Sequence, residues 1–183
     1  MNNSLPKENI IINHSVSILP YQTGFEESFL ELVQRNKERL MEGFPNLLQK
    51  NEHIIGTKSY FVEKIHQWNK NIAYAYLIFF EKELIGHFNI KDINVKKSTV
   101  ELSYFIDKNY EKRGIVFSII ENRKTFIFDV LNIKTIKARC ATDNTTSEKV
   151  MQKAGMQYEG TIHQNYRSYN NIMIDTYIYS ISK

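Results

Sequence analysis

The sequence predicts a single α+β domain, with a central, twisted, mixed but mostly antiparallel sheet of about seven strands flanked by about four helices. Three observations predict it. Short runs alternate with period two, as in Val100, Leu102, Tyr104 and Ile106 against Glu101, Ser103 and Phe105. Other stretches keep helical spacing, as in Phe25, Phe29, Leu32, Val33 and Leu40. Finally, 183 residues that are 42% hydrophobic suit one core, and neither a repeat nor a linker divides them.

Residues 1–12 are polar enough to predict a flexible or loosely packed segment. His14 to Tyr21 reads as the first strand, ended by Pro20. A helix beginning at Thr23 or Gly24 is stopped by Gly43-Phe44-Pro45-Asn46. Leu47 to Gly56 is ambiguous between a short helix and a loop. From Thr57, the spacing of Tyr60, Phe61, Ile65 and Trp68 predicts a second helix reaching Asn69. Ala73–Phe80 and Leu84–Asp92 form a hairpin around Glu81-Lys82-Glu83, and Ser98–Ile106 is the next strand. A third helix follows Gly114, and Ile133–Cys140 is again strand-like. Thr145 and Glu148 have capping-box spacing for a short helix that Gly155 ends. Met156–Gln164 and Met173–Ile181 are the last strands, separated by the loop Asn165–Asn171.

The formal net charge of +4 suits an anionic ligand, but the basic residues are dispersed, so nucleic acid is not an expected partner. Cys140 is the only cysteine, which excludes an internal disulfide framework and fits a reducing cytoplasm. The sequence reads as that of a cytoplasmic protein with no signal peptide and no membrane span, and a homodimer is left open. His14, His53, His66, His87 and His163 show no paired metal spacing, so no metal site is expected.

The chemistry concentrates between Ser98 and Val116. There a strand runs through a basic turn, Lys108, Lys112, Arg113 and Gly114, into a helix N-terminus. Free amides and partial positive charge at such a terminus can seat a phosphate. The alternative is an ordinary strand–turn–helix with a solvated turn.

Five phrases in order favour the phosphate seat: Glu101-Leu102-Ser103-Tyr104-Phe105-Ile106, Tyr110-Glu111-Lys112-Arg113-Gly114-Ile115, Cys140-Ala141-Thr142-Asp143-Asn144-Thr145-Thr146-Ser147, Gly155-Met156-Gln157-Tyr158-Glu159-Gly160 and Asp175-Thr176-Tyr177-Ile178-Tyr179. Together they resemble the GCN5-related N-acetyltransferase (GNAT) superfamily, most closely its ribosomal-protein-serine acetyltransferase branch. The resemblance implies acetyl-CoA as donor substrate, with no metal. It implies an amine acceptor, most simply the N-terminal amine of a protein. A small-molecule amine such as a polyamine, amino sugar or antibiotic is the alternative acceptor, and a non-catalytic CoA sensor or scaffold the alternative from another class.

By the same resemblance, pyrophosphate would lie on the amides of Lys112, Arg113, Gly114, Ile115, Val116 and Phe117, and pantetheine along the strand end at Phe105 and Ile106. The family pattern Gln/Arg-x-x-Gly-x-Gly/Ala is met here only at Gly114, with Glu111 first and Val116 last. Glu101 is the candidate general base, or else a structural or substrate-orienting carboxylate. Ser147 is the candidate acid for the leaving sulfur, or else a plain first-turn serine. The position where many members carry a tyrosine holds Met151, which cannot donate a proton. Asn144 is a helix cap, a pantetheine contact, or both. Cys140 reads as buried filler, and His163 with the Tyr166–Tyr169 loop either borders the acceptor or merely packs.

Overall fold

The computed structural model describes residues 8–183. Eight strands form one sheet: β1 (Ile10–Ile11), β2 (Val16–Pro20), β3 (Tyr74–Phe80), β4 (Glu83–Asn94), β5 (Thr99–Ile106), β6 (Thr135–Ala141), β7 (Gln157–Arg167) and β8 (Met173–Ser182). Their spatial order is β1-β2-β3-β4-β5-β6-β8-β7. Every pairing is antiparallel except β5 with β6. The helices are α1 (Glu26–Arg35), α2 (Lys37–Gly43), α3 (Pro45–Lys50), α4 (Ile54–Asn69), α5 (Ile115–Thr125) and α6 (Thr145–Lys153).

Strand alternation distributes two cores over the two faces of the sheet. On one face Phe29, Leu32 and Val33 of α1, Leu40 of α2 and Tyr60 and Phe61 of α4 bury Ala75, Leu77 and Phe105. On the other, Ile115, Ile119 and Ile120 of α5 and Met151 of α6 bury Tyr74, Tyr76, Phe88, Val100, Leu102 and Ala138. Burial of this kind stabilises by about 25 cal/mol per Å² of apolar surface.

The element count exceeds the sequence expectation for local reasons. Ile10–Ile11 adds a strand by pairing with Ile18 and Ser17, inside the segment expected to be loose over 1–12, and residues 1–7 lie outside those described. The first expected helix divides at Asn36. That buried side chain donates to the Leu32 carbonyl and to Asp107, far along the chain, which halts the helix there. Pro45 at the first position of α3 resolves the ambiguous segment as helix, since its missing N–H is no loss there. The β7 strand runs on to Arg167, so the expected loop shortens to residues 168–172. The Thr145–Glu148 capping box does not form. Asn144 caps α6, accepting from the Ser147 amide at 3.0 Å, while Glu148 accepts from the Tyr179 hydroxyl at 2.7 Å.

Candidate active site

The site is built on one strand with two unlike edges. Toward β4, β5 is paired from Glu101 with Lys91 through Ile106 with Gly86. Toward β6 the register runs only from Thr99 with Thr135 to Leu102 with Ala138. Beyond Leu102 the two strands part, while β6 continues to Ala141 against β8. The gap is a wedge bounded by Ser103–Ile106 on one side and by the end of β6 with the start of α6 on the other. Backbone amides and carbonyls there have no β6 partner among the described residues, so an extended ligand can take the place of a strand.

On the α5–α6 side of the wedge, the Tyr104 hydroxyl lies 3.1 Å from Ser147 Oγ. This bond spans the gap, tying β5 to the first turn of α6. Burial pushes the Tyr104 hydroxyl up to about 12, outweighing the Ser147 bond, so the phenol is a neutral donor near neutrality. With Tyr104 donating, the Ser147 proton is free for a group in the wedge. Cys140 of β6 lines the same side. Burial first, then Glu148 and Asp143, push its thiol up to about 11, so it stays protonated and is no nucleophile. Met151 is fully buried in the core.

On the opposite side, Glu101 is held by two cations. Lys91 of β4 meets Oε1 at 2.8 Å and Arg139 of β6 meets Oε2 at 2.6 Å. Only 16% of the Glu101 side chain is exposed. A carboxylate has about four lone-pair sites, so one cation on each oxygen leaves acceptor capacity for an amine or a water. Beside it, across from Ser103, the Asn89 amide oxygen is buried and has no hydrogen-bond partner among the described residues. An unsatisfied buried acceptor of this kind calls for a donor.

The turn between β5 and α5 carries two left-handed residues, Lys112 (φ +61°) and Gly114 (φ +74°). For a lysine this conformation costs about 1–2 kcal/mol, and it is kept where the surroundings require it. A Cβ built on Gly114 meets nothing within 4 Å, so conformation, not space, is what glycine supplies there. Gly114 is the N-cap of α5, with the amides of Ile115, Val116 and Phe117 at the helix start. The Arg113 side chain turns away, its guanidinium 4.9 Å from the Tyr110 ring centre and 5.5 Å from that of Phe80. It therefore lines a surface cavity of about 500 Å³ on the β3–β4 hairpin.

The structure thus brings Phe105, Ile106, Asn144 and Ser147 around one wedge, sets Glu101 on the paired stretch of β5 just before it, and follows the strand with the Lys112–Phe117 turn. Reading the residues in isolation missed Tyr104, Asn89, Lys91 and Arg139. The first two were visible only as alternation in strands, and the ion pairs join three strands. His163 pairs with Asp175 on the surface at 2.8 Å. Tyr169 packs on the helical layer, its amide donating to the Met41 carbonyl and its hydroxyl to Glu52. No cluster of metal-ligating residues occurs among the described residues.

The family model described as the acetyltransferase (GNAT) domain matches residues 25–157. An uncharacterized N-acetyltransferase of Bacillus subtilis, YoaA, is 32% identical over 102 residues, 56% of this chain and 57% of that protein. The chain thus spans under two thirds of that relative. A ribosomal-protein-serine acetyltransferase of Escherichia coli is 24% identical over 159 residues, 86% of this chain and 87% of that protein. Among solved structures, a ribosomal L7/L12 alpha-N-protein acetyltransferase in complex with coenzyme A superposes with a TM-score of 0.86 at 20% identity, covering 96% of this chain and 98% of that one. A microcin C7 self-immunity acetyltransferase in complex with acetyl-CoA and AMP gives 0.83 at 21%, covering 98% and 99%. At these identities the superpositions speak for the fold.

Proposed function

The chain belongs to the GNAT acetyltransferase family, and from that premise we propose that it transfers acetyl from acetyl-CoA directly to the N-terminal amine of a protein. The observation that carries the reading is the wedge itself. It has an unpaired strand edge for the pantetheine, a hydroxyl pair on one side and a clamped carboxylate on the other.

In this reading the acceptor ammonium gives a proton to Glu101, directly or through a water. The amine nitrogen then attacks the thioester carbonyl, whose developing oxyanion is met by a backbone N–H near Tyr104 or Phe105. The C–S bond breaks as the sulfur takes a proton from Ser147, while the nitrogen gives up its second proton, which returns through water to the serine. Tyr104 holds the Ser147 hydroxyl in place and can pass its own proton along. Lys91 and Arg139 fix the Glu101 rotamer, and the Asn89 oxygen offers the acceptor a further hydrogen bond.

The choice of acceptor rests on the E. coli relative, aligned over most of its length, and on charge. A polyamine site needs uncompensated carboxylates, yet Glu101 is matched by two cations. The test is CoA release from acetyl-CoA with peptides whose N-terminus is free or blocked, and with spermidine. The free peptide should turn over and the blocked one should not. Glu101→Gln should lower kcat/KM by about 10²–10⁴-fold. Turnover with spermidine alone would overturn the protein-acceptor reading.

A further inference from the structure

The coenzyme turn carries one carboxylate among its lysines. Glu111 stands where the family pattern puts a neutral or basic residue, and Arg113 is directed elsewhere. The structure contains a compensating group from another element. Arg39 of α2 forms a salt bridge with Glu111 through Nη2. Its Nη1 donates to the Ile106 carbonyl at 3.3 Å and to Asn36 Oδ1 at 3.1 Å. The guanidinium therefore sits between the tip of β5 and the phosphate turn, at the mouth of the wedge.

Its placement is built rather than incidental. Asn36 and Arg35 both hold Asp107, and the Lys108 amide donates to Asn36 Oδ1 at 3.3 Å. Asp107 in turn caps the following turn by accepting from the Asn109 amide at 2.9 Å. Burial raises the Asp107 carboxyl, but the Asn109, Arg35 and Asn36 bonds and the Arg35 charge outweigh it and hold the group below its usual range. The start of α2 and the start of the turn are thus one hydrogen-bonded unit. Two of the five guanidinium N–H groups of Arg39, on Nε and Nη2, have no acceptor among the described residues, and such a pair can serve an anionic oxygen.

We infer that Arg39 is a coenzyme-binding residue. It neutralises Glu111 and presents its free N–H groups to the pyrophosphate, adding charge from α2 to that of Lys108 and Lys112 in the turn. The inference rests on the acetyl-CoA reading.

The test is calorimetric titration of acetyl-CoA, and of acetyl-pantetheine, which lacks the pyrophosphate and nucleotide, into wild type, Arg39→Gln, Arg39→Lys and Arg39→Gln/Glu111→Gln. Melting curves confirm that each variant is folded. Arg39→Gln should weaken acetyl-CoA by about 10- to 100-fold, the scale of a lost charge-assisted contact beside an uncompensated carboxylate, and leave acetyl-pantetheine unchanged. Arg39→Lys should recover part of the loss, and removing Glu111 in the double variant should recover part as well. Equal acetyl-CoA affinity in wild type and Arg39→Gln would overturn the inference alone. So would an equal loss for both ligands, which marks a structural role. Wild type that binds neither ligand would overturn the acetyl-CoA reading, and this inference with it.

Discussion

The two edges of β5 are made from the same eight residues and behave oppositely. Its β4 edge is paired antiparallel through Ile106, and Gly86 is there because β4 comes so close that a Cβ would lie 2.4 Å from the Phe105 carbonyl oxygen. Its β6 edge is parallel, pairs over four residues and then opens. The difference teaches that stability and chemistry are divided across one strand. The closed edge aligns Glu101, Ser103 and Phe105 with Lys91, Asn89 and His87. The open edge leaves backbone groups and the Tyr104–Ser147 pair for a ligand.

That division can be broken from either side. At the open edge, the largest effect on catalysis with the fold intact is expected from Ser147→Ala. It should lower kcat by about 10- to 100-fold with little change in melting temperature, consistent with loss of a general acid that water partly replaces. An unchanged kcat would make Ser147 a plain first-turn serine.

At the closed edge, Gly86→Ala should cost about 2 kcal/mol in chemical denaturation, because the new methyl cannot fit against Phe105 without moving one strand. A wild-type denaturation midpoint would show that the β4–β5 approach yields easily.

His87 sharpens the comparison through pH. It is buried on the closed side, with Nδ1 2.9 Å from the Tyr21 hydroxyl. Burial, then the Lys64 charge, lower it from 6.5 to about 3. The unfolded chain takes up a proton below pH 6.5 that the folded one refuses until about pH 3. The stability contribution is therefore complete above pH 6.5 and is lost as pH falls toward 3. Between pH 7.5 and 5 the loss should be about 2 kcal/mol. His87→Gln should flatten that part of the melting-temperature profile, and an unchanged slope would place the acid sensitivity elsewhere.

The smallest effect is expected from Tyr104→Phe. It should lower kcat by about 3- to 10-fold with KM for acetyl-CoA unchanged, the size of one lost positioning hydrogen bond. A rise in KM alone would make Tyr104 a wall of the coenzyme channel and not a support for Ser147.

Local patterns made much of this legible. Period-two alternation located β2 and β5, an apolar run located β3, and the Glu81-Lys82-Glu83 turn located the hairpin, because each depends on neighbours a few residues apart. Asn144 before Thr145 is a local cap and was readable as one. The break between α1 and α2 was not readable, since Asn36 is held by Asp107, 71 positions away. Helical spacing through Leu40 looked continuous because the interruption belongs to a distant acceptor.

What the sequence by itself determined was therefore the element types, the two apolar faces, the glycine turn before the third expected helix and, through five ordered phrases, the family. These rest on backbone sterics and on solvent exclusion, which act over one or two turns of chain. Tertiary structure alone decided where β5 and β6 part and that Lys91 and Arg139 clamp Glu101 from two neighbouring strands. It also joined Tyr104 to Ser147 across the wedge and set Arg39 against Glu111. Each of these joins groups from different elements, at distances set by strand twist and helix docking, and no spacing within a single segment encodes such a meeting.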